Sequence, residues 1–257
     1  MRLAAAQSIS VPGDVPANVL IHMQFIAAAH AAGVDLLVFP ELSLSGYELP
    51  LLAGCLVQPD DACLAPLLEL VRASGMTVVV GAPVATAGGK PAIGAITFFA
   101  DGECAIYRKQ YLHSSEEVFA ASGALGSRRH ALGDESFALA ICADTNHQQH
   151  AEGAAASGAS LYLASVLFSV SAYAEDAGKL RRYAEQFDMG VLMANHGGPS
   201  GAYQSAGSSA FWAPGGERVA TAPGTGSALV IASKAAGGWR GEVLAVDVAA
   251  PAVDARG

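Results

Sequence analysis

Charged and aromatic residues are scarce in this sequence, and its cations are outnumbered by its anions. Of 257 residues, 14% are charged and 7% are aromatic, and 14 Lys and Arg stand against 23 Asp and Glu, giving a net charge of −9. A nucleic-acid-binding protein needs a basic surface to neutralise phosphates. The basic clusters here are no longer than the pairs Arg128-Arg129 and Arg181-Arg182. No nucleic-acid partner is therefore expected.

Long hydrophobic runs and paired cysteines are also lacking. No apolar run of about 18 residues is free of Gly, Pro and charge, so no membrane span is predicted. The opening MRLAAAQSISVPGD has only a short apolar run before Pro and Gly, which is not typical of a secretory signal. None of the four cysteines lies in a CxxC pair, which disfavours zinc knuckles and thioredoxin-like motifs. We expect a cytoplasmic protein with reduced thiols.

Apolar strands alternate with helical segments along the chain, and hairpins interrupt the alternation. This order predicts mixed rather than purely parallel sheets, and the strands that are apolar throughout need cover on both faces. No linker divides the sequence, so we expect one domain over residues 1–257, with a loose tail at 251–257. The predicted helices are 16–32, 62–74, 149–157 and 175–189. The predicted strands are 1–8, 34–39, 76–84, 92–100, 103–109, 136–142, 159–166, 190–195 and 244–250, and the segments 208–220 and 226–233 are predicted to form strands around a Gly-Gly turn.

Three potentially reactive residues each follow an apolar strand. Glu41 follows the strand that stops at Pro40, Lys109 lies where a hairpin strand ends, and Cys142 closes the strand SFALAIC. In α/β sheets, ligands usually bind at this carboxyl edge. Taken singly, each residue has a simpler interpretation: a buried core thiol, a solvated lysine, or a glutamate that caps a turn or faces water.

Five motifs occur together in a fixed order and change that interpretation. They are FPELSLSGY around Glu41, YRKQYL followed by SSEE around Lys109, ICAD around Cys142, MANHGG at 193–198, and AGSSAFWAPGGERVA at 206–220. In this order the chain resembles the nitrilase or carbon–nitrogen hydrolase superfamily, in its amidase-like branch, from Met1 to about Ser233.

The resemblance implies a Glu–Lys–Cys active site, and the chemistry of the three groups is consistent with it. Cys142 would be the nucleophile, although a free thiol is mostly protonated at neutral pH. Glu41 would accept its proton and deliver it to the departing amine. Lys109, with the backbone N–H of Ala143, would stabilise the tetrahedral oxyanion and offset the charge of Glu41 beside the thiolate. A thioester on Cys142 would then be hydrolysed by water.

Further site residues are predicted around these three. Family members often carry a second glutamate after the lysine; Glu116 matches by its spacing to Gly123, Glu117 remains possible, and either could be a solvated loop residue. Asp144 fits the frequent Cys-x-Asp pattern and is expected to order the turn. We assign Tyr47, Asn146 and His147 to the substrate pocket, although the last two replace bulkier residues of the common pattern.

Two other roles for the histidines are less favoured. His147 and His150 are spaced like metal ligands on a helix, but no third ligand stands at a recognisable spacing, so no metal is expected. His147 could also serve as a papain-like base, but five residues from Cys142 it usually cannot reach back with suitable geometry. A pocket wall or a helix-surface pair is the preferred interpretation.

By resemblance, the fold is a four-layer α-β-β-α sandwich with two mixed sheets, and family members commonly form homodimers or larger assemblies. No cofactor is needed. The leading hypothesis is hydrolysis of a small amide or carbamoyl-type substrate. A true nitrilase is disfavoured because nitrilases usually have longer chains. A catalytically silent protein that binds a small molecule or a protein partner is the alternative from another class.

Overall fold

The computed structural model describes residues 1–249 and contains two β-sheets of seven and six strands. The seven-stranded sheet has the order β13-β12-β1-β2-β3-β4-β5. Its strands are β1 (Arg2–Gln7), β2 (Leu36–Val38), β3 (Thr77–Val84), β4 (Ala92–Phe98), β5 (Cys104–Arg108), β12 (Ala228–Ala235) and β13 (Gly238–Ala245). Strand β1 pairs in parallel with β2 and antiparallel with β12, so this sheet is mixed.

The six-stranded sheet has the order β11-β10-β9-β8-β7-β6. Its strands are β6 (Arg129–Leu132), β7 (Glu135–Ile141), β8 (Leu161–Val166), β9 (Gly190–Asn195), β10 (Ala210–Trp212) and β11 (Arg218–Thr221). The central strands β7, β8 and β9 are parallel, whereas the pairs at both edges are antiparallel. The carboxyl ends of β7, β8 and β9 therefore lie at one edge of this sheet.

The four longer helices cover the outer faces of the sheets. They are α1 (Val15–Ala31), α2 (Ala65–Ser74), α3 (Gln148–Ala156) and α4 (Tyr173–Gln186), and short 3-10 helices lie at Leu49–Gly54, Ala62–Leu64 and Cys142–Asn146. None of the helices within residues 1–249 has the length and apolar character needed to cross a membrane.

Successive side chains of each strand point to opposite faces of its sheet, and this alternation divides the core into layers. In β1, Leu3 and Ala5 pack between the two sheets with Phe137 and Leu163, whereas Ala4 and Ala6 pack beneath α1 and α2. A third apolar cluster lies between the six-stranded sheet and the helices α3 and α4. This arrangement confirms the predicted four-layer α-β-β-α sandwich with two mixed sheets.

The prediction for the last strand was wrong. Strand β13 spans Gly238–Ala245 rather than 244–250, and it pairs antiparallel with β12 after a turn at Ala236 and Gly237. The strand is mostly exposed and contains glycine and charge, so it lacks the apolar run on which the prediction relied. Residue 250 and the predicted loose tail 251–257 lie outside the described residues. Strand β6 was missed for a similar reason: it is a short edge strand whose residues alternate between exposed and partly buried.

Candidate active site

Glu41 is fixed in a tight turn that follows β2. A Cβ added at Gly81 in β3 would lie 2.3 Å from the carbonyl oxygen of Pro40 and 2.4 Å from the nitrogen of Leu42, so only glycine permits this close approach. Leu42 adopts a positive φ of 53°. From the end of β9, His196 donates through Nε2 to the backbone carbonyl of Glu41 at 2.7 Å. The turn thus places Glu41 at a buried position with only 1% exposure.

Lys109 follows β5 and is completely buried. Its backbone N–H donates to the carbonyl of Ile93, and its own carbonyl accepts from Gly123. The ammonium nitrogen Nζ lies 2.6 Å from Oε1 of Glu41 and 2.6 Å from Oε1 of Glu116. An ammonium has three donors. Two are therefore engaged by carboxylates, and the third remains for another acceptor.

Glu116 is also fully buried, whereas Glu117 is exposed. Oε1 of Glu116 accepts from both Lys109 and the hydroxyl of Tyr47, and Oε2 accepts from the backbone N–H of His113 at 2.8 Å. The structure thus brings Glu116, and not its neighbour, to Lys109. Burial, followed by the charges of Glu41 and Glu116, raises the pKa of Tyr47 far above its ordinary value, so its phenol stays protonated and donates.

Cys142 begins the 3-10 helix that follows β7, with a positive φ of 40°. Such a backbone conformation is uncommon for a residue with a Cβ and is concentrated at functional sites. The thiol Sγ lies 3.8 Å from the carbonyl oxygen of Leu167. Cys142 is partly exposed, and Ala143 follows it in the first turn, where N–H groups have no partner within a helix.

The carboxylate of Asp144 joins the segments that carry Lys109 and Cys142. Its Oδ1 accepts from the backbone N–H groups of Gln110 and Tyr111, directly after Lys109. Its Oδ2 accepts from the N–H of Ile141 at 2.9 Å and from the hydroxyl of Tyr107 at 2.6 Å. Asp144 is fully buried, so these four hydrogen bonds replace its hydration. The turn-ordering contacts expected of Asp144 are present.

Glu41, Cys142 and Lys109 have shifted pKa values. Burial raises the pKa of Glu41 to about 7, although Lys109 opposes the shift. Burial and the charge of Glu41 raise the pKa of Cys142 well above its ordinary value, and Lys109 offsets this only in part. Burial alone would lower the pKa of Lys109, but Glu41, Cys142 and Glu116 raise it above its ordinary value. At neutral pH the lysine is charged, the thiol keeps its proton and Glu41 is close to half ionised.

Oε2 of Glu41 is buried and has no hydrogen-bond partner within residues 1–249. An unpaired carboxylate oxygen inside a protein is costly, so it is poised to take up a proton. Glu41 and Cys142 each shift the pKa of the other, which shows that they share one electrostatic environment. The structure thus brings the acid and the cation into contact and places the thiol close enough to interact with both electrostatically.

Cys142 opens into a cavity of about 190 Å³. Its lining residues are Tyr47, His113, Cys142, Ala143, Asn146, Leu167, Phe168, Ser169, Ala172, Asp176 and Tyr203. Of the predicted pocket residues, Tyr47, Ala143 and Asn146 are therefore present. The segment 167–176, which runs from the end of β8 into the first turn of α4, was missed together with His113 and Tyr203, because these residues carry no motif and meet Cys142 only through the fold.

His147 does not line the Cys142 cavity. Its ring stacks on Tyr111 with centroids 3.7 Å apart, and both residues line a larger, open cavity of about 690 Å³ that does not include Cys142. The predicted placement of His147 beside the substrate is therefore not seen. The cause is geometric, since His147 lies at the N-cap position of α3, after the end of the 3-10 helix that begins at Cys142.

His150 is part of a hydrogen-bond chain. Its Nδ1 lies 2.8 Å from the hydroxyl of Tyr162, and its Nε2 lies 2.8 Å from the hydroxyl of Tyr107, which donates to Asp144. Burial lowers the pKa of His150, consistent with a neutral ring. Within residues 1–249, no group of three or more His, Cys, Asp or Glu side chains is arranged to hold a metal ion.

Similarity to known proteins agrees with this architecture. The chain is similar to an amidase from Nesterenkonia sp. AN1, with a TM-score of 0.84 and 25% identity over 92% of this chain and 94% of that one. A mutant of that amidase in complex with butyramide superposes with a TM-score of 0.82 and 25% identity over 90% of this chain and 89% of that one. A Pseudomonas protegens protein described as a hydrolase in the pqqF 5′ region is 29% identical over 244 residues, covering 90% of this chain and 81% of that protein.

The family assignment comes from the match over almost the whole chain. The model of the carbon-nitrogen hydrolase family matches residues 2–240. That range contains every strand and helix described above except the end of β13. The chain therefore belongs to the carbon–nitrogen hydrolase family of enzymes.

Proposed function

We propose that this enzyme hydrolyses the C–N bond of a small amide or carbamoyl-type substrate through a thioester on Cys142. The observation that carries the proposal is the buried ionic cluster of Glu41, Lys109 and Glu116 beside a partly exposed thiol at a small cavity. Buried charges are rare unless they are paired or functional. The family match over residues 2–240 also supports a single carbon–nitrogen hydrolase domain.

In the first step, Sγ of Cys142 attacks the amide carbon as its proton passes to Glu41. The raised pKa of the thiol means that little thiolate exists beforehand, so attack and proton transfer are coupled. A base with a pKa of about 7 can accept the proton and later give it up at neutral pH. Oε2 of Glu41, which has no partner within the described residues, is the accepting atom.

The oxygen of the substrate carbonyl becomes negative as the tetrahedral intermediate forms. The third donor of the Lys109 ammonium and the backbone N–H of Ala143 stabilise this oxyanion. Removing one such donor typically costs about 3–4 kcal/mol in the transition state. Glu116 holds the ammonium in place, because it accepts from Lys109 and is itself held by Tyr47 and by the backbone of His113.

Collapse of the intermediate breaks the C–N bond. Glu41 returns the proton to the nitrogen, and ammonia or an amine leaves, which gives the thioester on Cys142. Glu41 then removes a proton from water as the water oxygen attacks the thioester carbon. The second intermediate expels the Cys142 sulfur, Glu41 passes the proton taken from water to that sulfur, and the carboxylic acid product leaves.

Structures of the similar Nesterenkonia amidase support an amide substrate. One mutant is described in complex with butyramide, and another shows the acetamide moiety of fluoroacetamide added covalently at the active-site cysteine. Our cavity of about 190 Å³ would hold about six water-sized groups at a liquid volume of about 30 Å³ each, which suits a short amide.

The test is ammonia release from a panel of short amides, ω-amides, carbamoyl compounds and nitriles. We expect turnover of at least one amide by the wild type and loss of turnover in Cys142→Ala. Cys63→Ala is the matched control, because Cys63 is an exposed free cysteine, and it should retain activity. Release from nitriles alone would favour a nitrilase. No release from any compound would favour a binding protein without catalysis.

A further inference from the structure

The wall of the Cys142 cavity carries one formal charge. Among the lining residues in the described part of the chain, Asp176 alone belongs to the group Asp, Glu, Lys and Arg. It lies in the first turn of α4, where a negative side chain is favoured by the helix dipole. Apolar Leu167 and Phe168 and the small residue Ala172 make up much of the neighbouring wall. A substrate in this cavity therefore meets a carboxylate in partly apolar surroundings.

Lys179 fixes the polar part of this wall. Its ammonium lies 2.9 Å from Oδ1 of Asp176 and 2.8 Å from Oδ1 of Asn146, and it also pairs with Glu175 at 3.0 Å. An ammonium can only donate hydrogen bonds, so the atom of the Asn146 amide that contacts Lys179 is the oxygen. The NH₂ group of Asn146 is therefore directed away from Lys179. No partner for Oδ2 of Asp176 occurs among residues 1–249. The wall thus offers a carboxylate oxygen and an amide held in fixed positions.

The charges at this wall disfavour an anionic substrate. Two carboxylates and one ammonium leave a net charge of −1 on Glu175, Asp176 and Lys179. All three donors of Lys179 already have acceptors. The N–H groups of Ala172 and Tyr173, at the start of α4, both donate to the carbonyl of Ser169 and are not free to bind an anion.

We propose that Asp176 selects amides whose acyl chain ends in an amine, with the protonated amine donating to Oδ2. This inference rests on the proposed function and names its substrate class. Desolvation of both charges by the apolar wall strengthens the pair relative to one in water. Asp176 acts on binding and makes no contact with the reacting bond, so its effect falls on KM more than on kcat.

The test compares amides matched in size but not in charge. 3-Aminopropanamide and 4-aminobutanamide carry the amine, butanamide and pentanamide replace it by a methyl group, and malonamate carries an anion. Ammonia release is measured at a pH where the amines are protonated. We expect kcat/KM of the better aminoamide to exceed that of its methyl counterpart by about tenfold, typical of one charge-assisted hydrogen bond, with malonamate the poorest substrate.

Three variants connect this preference to the wall. Asp176→Asn should abolish the preference for the aminoamide over its methyl counterpart, and a thermal unfolding midpoint close to that of the wild type shows that the variant is folded. Asn146→Asp should increase the preference for the aminoamide, since the substitution adds a second carboxylate beside Lys179. Glu175→Gln is the control, because its side chain is exposed and lies on the same helical turn, and it should leave the preference intact.

The outcomes separate this inference from the proposed function. Hydrolysis of butanamide and the aminoamides at equal efficiency overturns the inference and leaves the amidase proposal standing. A preference that survives in Asp176→Asn has the same meaning. Absence of ammonia release from every amide by the wild type overturns both.

Discussion

At the scale of single residues, the ionisation of Glu41 sets the conditions under which Cys142 reacts in the proposed mechanism. The raised pKa of Glu41, about 7, means that protons compete for this carboxylate just below neutral pH. A protonated Glu41 cannot accept the thiol proton. Because the pKa of Cys142 is also raised, the thiol does not ionise unaided in this range.

We therefore predict an acidic limb in the pH profile of the reaction. As the pH falls below about 7, kcat/KM for a short amide should fall by about tenfold per pH unit, because the base form of Glu41 disappears. Glu41→Gln should lower kcat/KM by about 10²–10⁴ and remove this limb. Glu117→Gln is the control: its side chain is exposed, so the profile should not move. An unchanged limb in Glu41→Gln would assign the titration to another group.

The sequence predicted only some of the residues and contacts of the candidate site. The order of the motifs predicted that Glu41, Lys109 and Cys142 would meet, and the spacing to Gly123 favoured Glu116 over Glu117. Burial decided between the two glutamates, since only Glu116 lies within reach of Lys109. His147 was misplaced because the direction of a side chain after a short 3-10 turn depends on the backbone path, which composition does not specify. His196 lies in the motif MANHGG, but the motif alone did not indicate its contact with the carbonyl of Glu41.

At the scale of elements, the site depends on contacts that hold strand ends together. Asp144 joins the exits of β5 and β7 by accepting four hydrogen bonds. Gly81 lets the turn that carries Glu41 lie directly on β3. Neither Asp144 nor Gly81 lines the Cys142 cavity, so both positions act on the geometry of the site.

Asp144→Asn should destabilise the fold as well as slow the reaction. The amide NH₂ would face donors that now meet a carboxylate oxygen, and leaving a buried donor unsatisfied costs about 1–3 kcal/mol. We expect a lower midpoint of thermal unfolding and at least about a tenfold loss in kcat/KM, since small displacements of reacting groups are costly. Tyr107→Phe removes only one of the four hydrogen bonds and should have a smaller effect on both quantities. Equal effects of the two variants would contradict the bridging role.

Gly81→Ala should lower kcat/KM strongly, although the substitution adds only one methyl group. The new Cβ would lie 2.3 Å from the carbonyl oxygen of Pro40, so the turn must shift and move Glu41 with it. We expect at least about a tenfold loss in kcat/KM for a short amide. The control is Gly54→Ala, because no atom lies within 4 Å of the Cβ added there. Full activity in Gly81→Ala would show that this contact does not determine the position of Glu41.

Elements in the core were predicted better than elements at the edges. Strand β9 was predicted with its observed bounds, and α1 within one residue at each end, because both are buried and strongly apolar. Strand β13 and strand β6 were misplaced or missed, since exposed edge strands carry no apolar pattern. The cavity wall at 167–176 spans the connection after β8 and the first turn of α4, and no motif marks it, so the sequence did not identify it as part of the site.

At the scale of the whole molecule, buried neutral histidines link the fold to pH. His22 stacks on Phe39, with Nδ1 donating to the carbonyl of Asn18 and Nε2 beside Ser43, and His196 supports Glu41. Burial lowers the pKa of both histidines to about 4. The unfolded chain therefore binds protons below about pH 6.5 that the folded chain excludes.

The expected consequence is a loss of stability on acidification. Between pH 6.5 and 4 each histidine should contribute up to about 3 kcal/mol of destabilisation, and above pH 6.5 the contribution disappears. His22→Gln should weaken the pH dependence of the unfolding midpoint over this range. His30→Gln, at an exposed position of the same helix, should not. Equal pH dependence in wild type and His22→Gln would mean that this histidine is not the acid-sensitive group.

We also propose that two copies of the chain pair, as family resemblance implies. Light scattering after size-exclusion chromatography should give at least twice the mass of one chain at micromolar concentration. The mass of a single chain, with amide hydrolysis retained, would contradict this proposal and leave the active-site account intact.

The most direct test of the central claim is to identify the atom that carries the acyl group during turnover. The wild-type enzyme is mixed with a short amide that it hydrolyses, and the reaction is quenched in acid during turnover. The protein is then analysed by intact-mass spectrometry and peptide mapping. We predict one added acyl group on the peptide containing Cys142, and none in Cys142→Ala. An acyl group on a different residue, or undiminished ammonia release by Cys142→Ala, would contradict the account.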